Sequence, residues 1–562
     1  MKKKFYFFDS DALKNFHKRV FFSITIFCIV YIIAFYRIID VTLLEKPIKN
    51  DTQIDPIYER GNIYDRNGNL LSSTIQSFAL SVNPKKIKDK NKLAEKLYPI
   101  IGISKKEILK LFNINNNFVW IKRNISPQEH QAIINLGEVV LQTKHKEDEE
   151  IRRIYPYGST GSHIIGFTSI SKAENQKIEI LKGESGIERG LNDILEKGHN
   201  VNLSIDINLQ QAVRNELNKM ISKFSADSGF SIIMNVTNGE IISMNSLPDF
   251  DPNNRKTFKN ENMFNRPLEG NYEMGSVIKP ITVAMAIDKE IISPETTFDV
   301  SKSISGIEDF EPYNGSYNVK EIIVNSSNRG TAQIAKKVGK ENQREFFNKI
   351  GFNKKIDLEI IETANPLGNK NNWGKHETMR IGYGYAYSIT PLHLTSAYAS
   401  LVNGGKKINP TLLTNKNKIA DNIKIIKTET SSYFNKLLRA VILETKITGK
   451  KVNINGYEIG GKTGTANLLD KYGKYQEGNN LTSFIAVFPI SKPKYVVLAS
   501  IENPKKSEEM NYRLTGATVA APLVKNIILK MIEILNISPP NLEEILKADI
   551  SSIYINKNNA TF

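Results

Sequence analysis

Apolar positions recur along this chain with a period that changes from segment to segment. Val20 to Tyr36 (VFFSITIFCIVYIIAFY) is a run of 17 residues without a charge. At 1.5 Å per residue a helix of that length is about 26 Å long, enough to cross a bilayer with help from its flanks. The apolar residues after Arg37 extend it, and Arg37 can snorkel. Further on, Leu209, Val213, Leu217, Met220, Ile221 and Phe224 share one helical face behind Asp206, a good N-cap. Phe230–Val236 and Glu240–Ser246 read as strands, joined by Thr237-Asn238-Gly239 as a hairpin turn. Ile281 to Ile287 is apolar almost throughout, which predicts a helix buried on every side. Helical patterns fill much of 319–403. Leu481–Phe488 and Lys494–Ile501 predict two more strands, and Thr518–Asn536 a closing helix.

Before residue 200 the pattern is less regular. Asp65–Gly68 reads as a hairpin turn, and Leu70, Leu71 and Phe78–Val82 as strand. Residues 86–136 read as polar helices around a Trp120-Ile121 strand. Tyr155-Pro156-Tyr157-Gly158 and Gly183–Glu188 read as loop-rich turns. None of this carries catalytic chemistry, so a stalk or docking domain is expected there.

The expected architecture is α+β, an antiparallel sheet covered by helices behind a membrane anchor. The expected segments are a cytoplasmic N-terminus (1–19), a transmembrane anchor (20–44), an extended pedestal (45–200), a catalytic domain (201–538) and a C-terminal tail (539–562). Lys2, Lys3, Lys4, Lys14, Lys18 and Arg19 ahead of the apolar run keep the N-terminus in the cytoplasm. No small-x-small cleavage site follows the run, so a retained anchor is expected rather than a cleaved signal.

Lys and Arg number 76 against 59 Asp and Glu, a net charge of +17 and a pI near 9.4. Such a balance suits an anionic partner. The excess is spread along a Lys- and Asn-rich chain with no nucleic-acid module, so nucleic acid is not an expected partner. The single cysteine, Cys28, lies inside the apolar run, reads as a packing residue, and excludes an intrachain disulfide. Together with seven scattered histidines it offers no ligand cluster, so no metal or cofactor is expected.

Three polar clusters carry candidate chemistry. In Gly275-Ser276-Val277-Ile278-Lys279-Pro280 a serine and a lysine lie one helical turn apart at the head of the apolar helix. That gives a serine nucleophile its own base without a histidine; the alternative is a capping serine and a surface lysine. Ser326-Ser327-Asn328 separates two helical patterns, a place from which a hydroxyl and a carboxamide reach a cleft. The alternative is a plain helix–helix turn. Gly460-Gly461-Lys462-Thr463-Gly464-Thr465-Ala466 follows an expected strand at Tyr457–Ile459. Gly464 would let a ligand approach the backbone, Lys462 would supply charge, and the Thr463 and Thr465 hydroxyls would supply donors to a substrate carboxylate. The alternative is a glycine-rich turn; a phosphate loop is excluded by spacing.

In this order and spacing the clusters resemble the Ser-x-x-Lys, Ser-x-Asn and Lys-Thr-Gly motifs of penicillin-binding proteins and serine β-lactamases. Arg60-Gly61 with Asp65–Gly68, Gly183–Gly190, Asn238-Gly239-Glu240, Gly382-Tyr383-Gly384 with Thr390-Pro391, and Ala520-Ala521-Pro522 are similar to class B penicillin-binding proteins. Met274–Pro280, Ser326–Asn328 and Tyr155–Phe167 resemble the septal, FtsI-type transpeptidases of cell division within that class. The resemblance covers the chain from the anchor to about residue 537. It implies a penicillin-binding/serine β-lactamase-like fold on a dimerisation-type pedestal. It also implies a D,D-transpeptidase that cross-links peptidoglycan stem peptides through an acyl-enzyme. Ser276 would be the nucleophile, Lys279 its base and Ser326 a proton relay. Asn328 would hold Lys279 or the substrate amide, and Lys462 would depress the Lys279 pKa. The N–H groups of Ser276 and Thr465 would form the oxyanion hole. β-Lactams would be covalent inhibitors. A membrane glycan polymerase and other divisome proteins would be partners, and the catalytic domain would stand in the periplasm on the inner membrane. An elongation-type transpeptidase, a non-catalytic divisome scaffold, a penicillin-sensing receptor and a β-lactamase remain as alternatives at this point.

Overall fold

The computed structural model describes residues 10–39, 60–143, 149–172, 179–368, 373–414, 423–470, 473–506 and 512–540. The expected N-terminal segment before residue 10, anchor residues 40–44, pedestal residues 45–59 and the tail beyond 540 lie outside the described residues. The chain divides into two units, Met1–Tyr58 and Glu59–Phe562.

Among the described residues, the first unit is a single helix, Ser10–Ile39. Its His17–Tyr36 stretch has mean hydropathy 2.1 and buries none of that surface, so by length and composition it is able to cross a membrane. Cys28, read above as a packing residue, is exposed on it.

The second unit begins with a sheet built on one long strand, Leu70–Val82, which follows the Asp65–Gly68 turn as the pattern predicts. It pairs antiparallel with Ile63–Tyr64, Val119–Ile125, Leu141–Gln142 and Glu149–Ile154. Helices Lys90–Ile101, Lys105–Phe112 and Pro127–Asn135 bury Leu93, Leu97, Ile108 and Phe112 against Leu80 and Val82. Strand Ile63–Tyr64 also runs parallel to Val201–Asn202. Beyond it, Asp65 Oδ2 accepts from the Ile207 N–H at 3.1 Å, and Asn67 Nδ2 donates to Asp206 at 2.9 Å. The hairpin turn thus docks on the start of helix Ile207–Lys223, for which Asp206 is the N-cap as expected.

Ionic bonds close this region. Glu188 is 0% exposed and takes Arg60 Nε on one carboxylate oxygen and Arg153 Nε on the other, both at 2.7 Å. Ser72 Oγ donates to the same carboxylate at 2.9 Å. Arg60 also reaches the Leu181 carbonyl, and Arg153 the carbonyls of Arg60 and Gly61. The segments carrying Arg60, Ser72, Arg153 and Glu188 are therefore tied through one carboxylate. A Cβ on Gly183 would lie 1.9 Å from the Glu188 carbonyl, so only glycine lets the two segments lie this close.

The catalytic region is three layers. Its antiparallel sheet runs Ile241–Leu247, Ser228–Asn235, Tyr495–Glu502, Tyr475–Phe488, Gly460–Leu469. Side chains alternate across it. Ile485, Val487, Val496 and Leu498 join a core with helices Lys279–Asp288, Asn328–Ile350, Pro391–Val402 and Thr428–Glu444. Phe484, Ala486, Phe488, Val497 and Ala499 face the opposite way, against helices Ile207–Lys223 and Ala521–Ile534. The expected strands, hairpin and closing helix are all present, apart from one. Tyr457–Ile459 is not a strand; the strand is Gly460–Leu469 itself, paired along Tyr475–Phe488 with Lys462 opposite Ile485. The all-apolar helix is buried as predicted, from Lys279 through Ala286.

Replacing Glu188 by Ala leaves two guanidinium groups buried without their counter-charge. We expect a loss of about 3–5 kcal/mol in stability, read as a lowered denaturant midpoint of the purified chain.

Candidate active site

Ser276 does not sit in the α-helix. It lies in a 3-10 turn, Gly275–Ile278, that leads into helix Lys279–Asp288. In a 3-10 turn residues three apart eclipse, so Ser276 and Lys279 project from the same side. The turn is pinned from behind. Gly275 N–H donates to Gly384 O at 3.0 Å, buried Tyr398 donates its hydroxyl proton to Val277 O at 2.7 Å, and Thr282 Oγ1 donates to Gly382 O at 2.7 Å. Ser276 is half-buried.

The edge strand Gly460–Leu469 crosses close in front. A Cβ on Gly464 would meet Met274 O at 2.9 Å and Val277 Cγ1 at 3.1 Å. Gly464 therefore makes room for the serine turn, which corrects the expectation that it makes room for a ligand. Lys462 from this strand is 1% exposed and Lys279 is 0% exposed. Both amines converge on one hydroxyl: Ser326 Oγ lies 3.2 Å from Lys279 Nζ and 3.0 Å from Lys462 Nζ. Lys279 Nζ also donates to the Ser326 carbonyl, and Lys462 Nζ to Thr463 O at 3.3 Å.

Burial holds the Lys279 amine well below the ordinary lysine range, and the charge of Lys462 adds to the effect; Asp309 opposes it. Burial alone pushes Lys462 down to about 7. Among the described residues neither lysine makes a salt bridge.

Ser326 owes its place to the end of helix Val319–Val324. Ser326 N–H reaches Ile323 O at 3.2 Å and Ser327 N–H reaches Ile322 O at 2.9 Å, the bonds of a Schellman turn. Its φ of 57° is the left-handed value that such a turn normally gives to glycine. Ser327 caps the next helix, Asn328–Ile350, by accepting from Gly330 N–H at 2.9 Å. Asn328 turns away from the lysines: its Nδ2 donates to Glu308 O at 2.7 Å, and among the described residues it makes no hydrogen bond to Lys279. Thr463 and Thr465 are half-buried on the edge strand. Thr465 Oγ1 accepts from Gly516 N–H at 3.0 Å, which leaves its own proton to donate.

The structure thus gathers Lys279, Ser326 and Lys462 at one hydroxyl, puts Ser276 on the turn that leads into Lys279 with Gly464 against that turn, and sets Asn328 to the side. Residues not singled out as site residues support them: Tyr398, Gly384 and Asp309. Gly384 stood in a quoted stretch, whereas Asp309 lies in an irregular loop with no local signal. A cleft of about 940 Å³ lined by Lys122, Tyr155 and Arg255 lies between pedestal residues and the 252–255 segment, and contains no residue of the three catalytic motifs.

Comparison with known proteins matches both regions of the chain to one family. The penicillin binding protein transpeptidase domain matches residues 229–529, and the penicillin-binding protein dimerisation domain matches residues 58–223. A probable peptidoglycan D,D-transpeptidase FtsI of Caulobacter vibrioides is 30% identical over 85% of this chain and 82% of its own. The peptidoglycan D,D-transpeptidase FtsI of Buchnera aphidicola is 28% identical over 95% of this chain and 99% of its own. A crystal structure of a peptidoglycan synthetase from Bifidobacterium adolescentis superposes with a TM-score of 0.64 at 17% identity, over 86% of this chain and 96% of that one, and shares the fold. With both domains matched and a relative at that level of identity, the chain belongs to the class B penicillin-binding proteins and resembles the FtsI type.

Proposed function

We propose that this chain is a peptidoglycan D,D-transpeptidase of septal wall synthesis that works through an acyl-enzyme on Ser276. The observation that carries the reading is the pair of buried lysines on one serine hydroxyl, beside a half-exposed serine. An amine kept below its usual pKa is a base at neutral pH. Ser276 Oγ attacks the carbonyl of the penultimate D-Ala and gives its proton to Lys279 Nζ. The oxyanion that forms is met by the N–H groups of Ser276 and Thr465. The C–N bond to the terminal D-Ala then breaks. The leaving amine takes the proton, passed through Ser326 Oγ. An amine of a second stem peptide attacks the ester, its proton returns by the same route, and Ser276 is restored.

Lys462 and the hydroxyls of Thr463 and Thr465 fit a terminal carboxylate, which β-lactams also carry. Asn328 flanks the groove and suits the substrate amide better than Lys279. The septal assignment is supported by the FtsI-named relatives of Caulobacter and Buchnera. For the anchor we propose an N-terminus in the cytoplasm and a catalytic domain in the periplasm, supported by Lys14, Lys18 and Arg19 at one end of the apolar helix. A membrane glycan polymerase and other divisome proteins would work beside it.

Ser276→Ala should abolish covalent labelling by penicillin, read by mass spectrometry of the Ser276 peptide, and should fail to complement depletion of the native protein. An adduct that persists would overturn the assignment. The charge on Lys462 sets a second expectation. In the free enzyme it is present below about 7 and lost above. The second-order acylation constant for a carboxylate-bearing β-lactam should therefore fall as pH rises through that value. Lys462→Met should remove this limb and lower the constant by about 10- to 100-fold, the loss of one charge-assisted hydrogen bond.

A further inference from the structure

Ser326 is held on its N-terminal side by the Schellman bonds described above. On its C-terminal side the restraint comes from a residue outside all three motifs. The Asp309 carboxylate accepts from Ser327 Oγ at 3.0 Å, from the Asn328 N–H, and from the Arg329 N–H at 3.1 Å. Its loop is itself fixed: Ile307 packs with Ala332 and Met379, and Arg329 pairs with Glu308 and reaches the Val300 carbonyl at 2.9 Å. The two residues after Ser326 and the first turn of the following helix are thus fastened to one carboxylate.

We propose that Asp309 is a positioning residue of the acyl-transfer site, holding the Ser326 hydroxyl between the two lysine amines. This rests on the transpeptidase reading above. A serine at a left-handed position relaxes readily once its flanks are free, and its Oγ is the atom both lysines share. Asp309 touches no reacting atom; it acts through Ser327 and Asn328 on the turn.

Its charge leaves a second mark. Facing Lys279 are Lys462 from the edge strand and Asp309 from the loop, and Asp309 favours the protonated amine. Facing Asp309 are Arg329 with its partner Glu308, and the Tyr313 and Tyr317 hydroxyls. Removing the carboxylate therefore lowers the pKa of Lys279, and the acid limb of acylation, where the base must lose its proton, moves to lower pH.

The test is the acylation rate of the full-length, detergent-solubilised chain with a fluorescent penicillin across pH. Asp309→Ala should slow acylation on the order of 10²-fold, the effect of a small misplacement of a catalytic group. Asp309→Asn keeps a carbonyl for the two backbone N–H groups. It should recover most of the rate while its acid limb still lies below that of the wild type. If Asp309→Ala does not fold, Asp309→Asn decides by its pH profile. Rates and profiles identical to wild type in the variants overturn the assignment of Asp309 alone. A wild-type chain that takes no label on Ser276 overturns the transpeptidase reading and this inference with it.

Discussion

Two amines, almost wholly withdrawn from water, share one serine hydroxyl, and most of the catalytic region can be understood as the means of keeping them there. A buried ammonium costs several kcal/mol unless a counter-charge or hydrogen bonds compensate it. Lys279 and Lys462 have hydrogen bonds but, among the described residues, no salt bridge. Lys279 escapes that cost by shedding its proton, while Lys462, pushed down to about 7, keeps its charge on the acid side of that value. A three-layer core supplies the necessary dryness: Lys279 opens a helix buried through Ala286, and Lys462 lies on a strand backed by Phe484 and Ile485.

Bringing a helix, a turn and a strand to one hydroxyl requires backbones to pass closer than side chains allow. Ser326 is 47 residues from Lys279 and 136 from Lys462, so no local interaction assembles the trio. Two glycines make the approach possible. Gly384 lies where a Cβ would be 2.0 Å from Gly275 O, and Gly464 where one would be 2.9 Å from Met274 O. The serine turn is clasped between them. A glycine in a binding motif invites the idea of space for a ligand; here the space is occupied by the protein.

What was legible in the sequence follows from what period and composition record. The Ile207–Lys223 helix announces itself because one face is buried and the other is not, and the hairpin after it because two apolar strands, buried on both faces, meet at Thr237-Asn238-Gly239. The Lys279–Asp288 helix shows as a run with no polar face. The edge strand at Gly460 was missed for a physical reason. Two glycines and a lysine have little preference for strand, and the segment is extended because the long Tyr475–Phe488 strand offers it a ladder. Asp309 and Glu188 escaped notice for another reason. Asp309 lies in irregular chain and Glu188 in the short helix Gly186–Gly190, and the partners of each are far away in sequence: Asn328 lies 19 residues beyond Asp309, and Arg60 lies 128 before Glu188. The three motifs put the catalytic groups on view, but the residues that aim them were not on view.

Two of the places where the chain buries basic side chains use different residues. In the pedestal, Arg60 and Arg153 are saturated by Glu188, Asn192, Thr74 and backbone carbonyls. In the site, Lys279 and Lys462 are left with hydroxyl and carbonyl partners only. A guanidinium does not give up its proton in a protein, and its five donors match a carboxylate flanked by carbonyls. It suits a junction whose charge must persist. An ammonium yields its proton once desolvated, and it rotates freely about its terminal bond. It suits a relay in which the proton must leave and return. Exchanging the two chemistries would fail in both directions: a lysine in place of Arg153 could not reach Thr74 and Gly61 at once, and an arginine in place of Lys279 would bring a permanent charge into a site that works by losing one.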